Sequence, residues 1–217
     1  YRLANATVAT PNPINFGNHH QGDVVAPIAY SVTNGATNDG FSEKLDASLS
    51  NVTNNGVAIT GNISLLSPGQ ASSTLLATLD TSSAGVKGGS ATANFTSNGT
   101  NTSNLDPTSV GNQTLNATGA VYRLASPGTV SNLTYDVGTV HVGDTVFRNP
   151  VFSNTAPADG FSETLLVNIS SHTANGGVTI GSQNGVVFAN STNGGFVSVL
   201  LDTSVAELGR SGSTTFH

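Results

Sequence analysis

The sequence predicts an all-β protein of two tandem immunoglobulin-like antiparallel β-sandwich domains, the second lacking its last strand. Three observations predict it. Short apolar runs alternate with polar residues at period two. Gly, Asn and Pro clusters bound those runs. A set of motifs occurs twice, in the same order, about 120 residues apart.

The repeat is read first. Tyr1-Arg2-Leu3-Ala4 returns as Tyr122-Arg123-Leu124-Ala125, and Gly22-Asp23 as Gly143-Asp144, each two residues after a matched histidine, His20 or His141. Asp39-Gly40-Phe41-Ser42-Glu43 returns unchanged as Asp159-Gly160-Phe161-Ser162-Glu163. Gly56-Val57-Ala58-Ile59 pairs with Gly177-Val178-Thr179-Ile180, and Leu79-Asp80-Thr81-Ser82 with Leu201-Asp202-Thr203-Ser204. The copies therefore span residues 1–121 and 122–217.

Between these blocks lie the predicted strands. Ile28, Tyr30 and Val32 form one alternating run, Leu45, Ala47 and Leu49 a second, and Leu75, Ala77 and Leu79 a third. Leu165, Val167 and Ile169, then Val197, Val199 and Leu201, repeat two of them in phase. Asn34-Gly35, Asn55-Gly56 and Asn175-Gly176 offer the positive φ that tight β connections need. No stretch sustains a 3.6-residue period with caps. About seven short strands per copy fit a sandwich of two sheets.

Composition narrows the function classes. Charged residues are 8% of the chain, and Asn, Ser, Thr and Gly together make nearly half. Cys is absent, which removes disulfides, thiol catalysis and thiolate metal sites. A net charge of −6 with six Lys+Arg argues against a nucleic-acid partner. No apolar run reaches the roughly 18 residues of a membrane span, so direct membrane insertion is not expected. The absent Met and signal peptide are read as the mark of a processed or excised segment.

Ile14-Asn15-Phe16-Gly17, then Gly22-Asp23, then a strand ending in Thr33-Asn34, resembles the start of Hydin-like immunoglobulin-type domains. The second copy has Tyr135-Asp136-Val137-Gly138, Gly143-Asp144 and Ser153-Asn154-Thr155. The Asp-Gly-Phe-Ser-Glu, Leu-Asp-Thr-Ser and junctional Tyr-Arg-Leu-Ala blocks resemble the tandem repeats of bacterial choice-of-anchor D surface proteins. That resemblance covers essentially the whole chain. It implies secretion with display at the cell surface or in a matrix, and it implies no catalytic residue.

His217 aligns with Asn94, so the second copy has no counterpart of residues 95–121, including the strand predicted over Gly111–Val121. Burying the equivalents of Leu115, Ala117 and Val121 would contribute about 3 kcal/mol. Two explanations stay open: the sequence is cut there, or a neighbouring chain donates the strand and builds an open filament.

Eight of the twelve acidic residues occupy matched positions: Asp23/Asp144, Asp39/Asp159, Glu43/Glu163 and Asp80/Asp202. Asp39 and Glu43, with Asp159 and Glu163, are the candidate calcium ligands, because carboxylates and loop carbonyls suit a hard cation. The competing reading makes Asp39 and Asp80 turn organisers that hydrogen-bond their own backbone. His19-His20 is a two-residue metal candidate, and His20 and His141 are otherwise expected at the start of a strand, partly exposed. Nothing has the arrangement of a nucleophile with its base. Eleven Asn-x-Ser/Thr triplets, among them Asn51, Asn94, Asn112 and Asn132, compare with roughly six expected by composition, and each is a potential glycan acceptor.

The sequence therefore points away from enzymes. It predicts a structural module of a bacterial extracellular filament, matrix or surface layer, self-associating into a polymer. The alternative is an adhesin or carbohydrate-binding module with its glycan ligand in end-of-sandwich loops such as 34–41 and 155–161; against it, those loops are short and the Phe41 and Phe161 rings are expected to plug the core.

Overall fold

The computed structural model describes every residue except 131–133, 135, 176, 196 and 217. The chain divides into two compact units, Tyr1–Tyr122 and Arg123–His217. No helix occurs among the described residues, and none is therefore long and apolar enough to cross a membrane.

Unit 1 contains β1 (Ala6–Val8), β2 (Ile14–His20), β3 (Ile28–Asn34), β4 (Lys44–Asn55), β5 (Val57–Thr60), β6 (Ile63–Leu66), β7 (Ala71–Leu79), β8 (Gly85–Asn98) and β9 (Thr108–Tyr122). They form two sheets, one ordered β1-β3-β7-β5 and the other β2-β9-β8-β4-β6. All pairings are antiparallel except β2 with β9, which are parallel. That exception to the antiparallel expectation is possible because nearly the whole unit separates β2 from β9 in sequence. A parallel pair needs such a long crossover.

Period-two patterning fixes which face each strand buries. Leu45 and Ala47 of β4, Ala91, Ala93 and Phe95 of β8, and Leu115, Ala117 and Val121 of β9 face inward from one sheet. Tyr30 and Val32 of β3, Val57 and Ile59 of β5, and Leu75, Ala77 and Leu79 of β7 meet them from the other. The Tyr30 hydroxyl stays satisfied by donating to the Asn116 carbonyl at 2.6 Å, and burial pushes its pKa up to about 12.

The Asn-Gly pairs behave differently from one another. Gly56 adopts φ 80°, as its turn requires, but it joins β4 to β5 across the two sheets instead of closing a hairpin. A side chain there would also strike Lys87, whose Cδ lies 2.3 Å from the position of a Cβ. Gly35 has no positive φ; its N–H donates to the Asn5 carbonyl at 2.7 Å and ties β3 to the first segment of the chain. Gly176 lies outside the described residues.

Unit 2 contains β10 (Val146–Arg148), β11 (Phe152–Asn154), β12 (Leu165–Val167), β13 (Ile169–Asn175), β14 (Val178–Ser182), β15 (Gly185–Val187), β16 (Ser191–Asn193), β17 (Val197–Leu201) and β18 (Ser211–Phe216). These strands pair as β10-β17-β14, β11-β16, β12-β15 and β13-β18, all antiparallel. The pairs match β3-β7-β5, β4-β6 and β4-β8 of unit 1. Phe152, Val167, Ile180, Val187 and Val197 form the core, with the Phe216 ring edge-on to Phe152 at 4.9 Å.

Candidate functional site

The duplicated blocks, scattered along the sequence, meet one another in each unit. The first meeting point is the turn of Asp39-Gly40-Phe41. Gly40 takes φ 81°, and the Phe41 N–H donates to Asp39 Oδ1 at 3.0 Å. Gly160 takes φ 83°, and the Phe161 N–H donates to Asp159 Oδ1 at 3.0 Å. The Tyr-Arg-Leu-Ala block docks on this turn. The Arg2 N–H donates to the Phe41 carbonyl at 2.7 Å and the Glu43 N–H to the Arg2 carbonyl at 2.9 Å. Arg123 makes the same pair with Phe161 and Glu163, at 2.8 and 3.0 Å.

The guanidiniums complete the arrangement, Arg2 with Asp39 and Arg123 with Asp159. The Phe41 amide and the Arg2 side chain hold the Asp39 carboxyl below its ordinary range. The Arg123 side chain and the Phe161 amide do the same for Asp159. Such exposed pairs contribute little stability each, so their role is to fix geometry.

Glu43 is a different case. It is only 2% exposed, and its two carboxylate oxygens accept the hydroxyls of Ser103 and Ser97. Those two bonds hold its pKa below the ordinary value. Ser97 also accepts the Ala4 N–H at 2.8 Å, so the buried carboxylate anchors both β8 and the first segment of the chain. Of the four candidate calcium ligands, Asp39 and Glu43 thus point their oxygens at different partners, and Asp159 repeats Asp39. Glu163 is half-buried, with its backbone held by Arg123 and Asn154. No group of three His, Cys, Asp or Glu side chains is placed to hold a metal among the described residues.

The second meeting point joins the Gly-Asp and Leu-Asp-Thr-Ser blocks. The Gly22 N–H donates to the Thr81 carbonyl at 3.0 Å, and the Thr81 hydroxyl donates to the Asp23 carbonyl at 2.7 Å. Gly143, Thr203 and Asp144 repeat both bonds at 3.0 and 2.5 Å. Asp23 Oδ2 accepts the His20 N–H at 2.8 Å, and Asp144 Oδ2 accepts the His141 N–H at 2.8 Å. Asp80 and Asp202 accept the N–H of Ser82 and Ser204, both at 2.9 Å. The hydroxyl and amide of Ser82 lower the Asp80 pKa; the amide and hydroxyl of Ser204 lower that of Asp202. The three matched aspartates of each copy are therefore turn organisers.

The histidines belong to the same turns. His20 closes β2 instead of starting a strand, and its ring is exposed. His19 Nε2 lies 2.9 Å from the Phe16 carbonyl, so this ring is engaged by its own strand. Asn15-x-Gly17 survives in the second copy: the Gly17 N–H donates to Asn15 Oδ1 at 2.9 Å and the Gly138 N–H to Asp136 Oδ1 at 2.8 Å.

Two features escape a reading of the sequence. Asn34 is fully buried, donating to the Glu43 and Leu66 carbonyls at 3.1 Å each and accepting the N–H of Asn5 and Ala36. Asn154 reproduces all four bonds with Glu163, Val187, Ser126 and Ala156. The signal was there, since Thr33-Asn34 aligns with Ser153-Asn154, but an Asn before Gly or Thr is read as a turn residue. The other feature is a matched cation. Lys87 is buried, with Nζ donating to the Ser83 hydroxyl at 2.9 Å; Arg210, at the matching position, has a guanidinium nitrogen 3.0 Å from a Cβ placed on Gly177.

The Phe41 ring does not plug the core. It is 59% exposed and lies against the Tyr1 ring at 5.9 Å, because the turn of Asp39 and Gly40 directs it outward and Ser42 occupies the buried position beside it. Phe161 is half-buried. A surface depression of about 290 Å³ in unit 2 is lined by Ser153, Asn154, Thr155, Asn190, Ser191 and Thr192, all hydroxyl or amide side chains. It offers hydrogen bonds and no titratable group.

No family model matches the chain, and no curated protein does. Among solved structures, a chain of the CsuC–CsuE chaperone–tip adhesion subunit pre-assembly complex, from archaic chaperone-usher Csu pili of Acinetobacter baumannii, is similar over 94% of this chain and 98% of its own. The identity is 10% and the TM-score 0.29, a level that carries no inference about fold or function.

Proposed function

We propose that the chain is a structural module of a bacterial extracellular filament, matrix or cell-surface layer, related to the choice-of-anchor D repeats, and that it performs no catalysis. One observation carries the reading. The matched aspartates spend their carboxylates on their own unit's backbone, at Phe41, Ser82 and His20 and again at Phe161, Ser204 and His141. What duplication has kept is framework. A protein under selection for chemistry would keep a constellation aimed at a ligand.

A second reading, a glycan-binding module, is favoured by the uncharged lining of the unit 2 depression.

Electron microscopy of the purified chain tests the first reading. Fibres or sheets that grow with concentration are expected. Glycan-array binding by particles that stay monomeric would overturn it in favour of the second.

A further inference from the structure

Unit 1 carries a broad sheet face with an unusual chemistry. The three longest strands, β4, β8 and β9, lie side by side; over their central parts (residues 48–50, 90–95 and 112–118) the inward residues are almost all apolar and the outward ones are Ser, Thr or Asn. The register lines these up in rows: Ser48–Asn94–Asn112, then Ser50–Thr92–Thr114. A further row begins with Thr53 and Ser90, whose hydroxyls lie 2.8 Å apart. Strands about 4.8 Å apart and outward residues about 6.8 Å apart along a strand make this a regular grid of hydrogen-bonding groups.

Exposed protein surfaces ordinarily intersperse charged residues of both signs, which discourages association. Here the rows hold none. The neutral grid stops at Lys44 and Asp46, and the Asp46 carboxylate is taken by the Asn98 amide and the Leu65 N–H, each at 2.6 Å. The matched aspartates of unit 1, Asp23, Asp39 and Asp80, sit at turns instead. A chain of net charge −6 repels its copies wherever acidic surfaces meet. The grid is a surface on which two copies meet without that cost, and hydroxyl and amide groups, being donors and acceptors at once, complement themselves across a two-fold axis.

We infer that the outer face of β4–β8–β9 is a self-association surface, packing against the same face of a second copy of this chain around Thr92. The inference deepens the structural reading above and rests on it.

Sedimentation velocity over a concentration series tests it on the full chain. Thr92→Glu places two buried like charges at the centre of the contact and is expected to weaken association at least ten-fold. Thr78→Glu, at an exposed position of β7 on the other sheet, is expected to leave it unchanged. Because the chain has no Cys, Thr92→Cys adds a single thiol with a minimal change in size; it is expected to form disulfide dimers faster than Thr78→Cys. Association that is indifferent to Thr92→Glu, with no preferential Thr92→Cys dimer, would overturn the face and leave assembly standing. A chain monomeric at every concentration would overturn both. A monomeric chain whose binding to a neutral polysaccharide is lost in Thr92→Glu would assign the face to glycan instead.

Discussion

Units 1 and 2 share a framework and differ in their cores. Both keep the Arg–Asp turn, the four-bonded buried Asn, the Gly-Asp turn and the cation beside the positive-φ glycine. Yet the core of unit 1 has nineteen buried apolar residues, and that of unit 2 has five among the described residues. The residues matching β2 show the reason. Asp136 and Gly138 form the same local turn as Asn15 and Gly17, but among the described residues no strand is present there, whereas β2 is held by its ladder to β9. Side-chain turns form locally; strands and cores need partners from across the chain.

The largest expected effects lie at the buried asparagines. Asn34→Ala strands two carbonyls and two amides, and is expected to cost about 3–4 kcal/mol in unit 1. Asn154→Ala should cost a similar amount in unit 2, measured by denaturant unfolding of each variant. Equal losses support a common framework; a loss confined to Asn34 would break it. Next in size, Leu115→Ala should cost about 3 kcal/mol, and only in the unfolding transition of unit 1. Hydrogen exchange resolves the two units, and unit 2 amides should be unaffected.

The folded-state pKa of Glu43 is depressed, so its contribution is fully present above the ordinary glutamate range and lost as pH falls through the lowered value. Unit 1 should therefore lose stability in acid. Glu43→Gln should be less stable than the parent by about 1–2 kcal/mol at neutral pH, with the gap closing as the parent is acidified. A gap independent of pH would remove the buried carboxylate from the account. The smallest expected effect is Asp80→Asn, an exposed turn carboxylate, which should lower the melting midpoint slightly and leave the fold intact by circular dichroism.

Much of this architecture was legible in the sequence because duplication displays it. The alternating runs mark β3 and β17 nearly to their ends but only about half of β4 and β7, and Gly111–Val121 is the larger part of β9. The roles of Asp39 and Asp80 follow from the chemistry of carboxylates that accept the amide two residues on, at Phe41 and Ser82. The parallel β2–β9 pairing was not legible, because periodicity reports which face a strand buries and not which neighbour it takes. Nor was the outward turn of Phe41, since an aromatic beside a strand looks like core until the turn that aims it is known. The pairing of Glu43 with Ser97 and Ser103 joins residues more than fifty positions apart, and no local pattern encodes it. The neutral grid was hidden for a similar reason: Ser, Thr and Asn are ordinary on any one strand, and only the register of three strands makes them a surface.

The proposed function requires this chain to associate with copies of itself. Sedimentation velocity of the unmodified chain across a wide concentration range tests that most directly. The expected result is a weight-average sedimentation coefficient that rises steadily with concentration, as large species form from the 21.8 kDa chain. A single sharp boundary at the monomer mass, unchanged across the whole range, would contradict it.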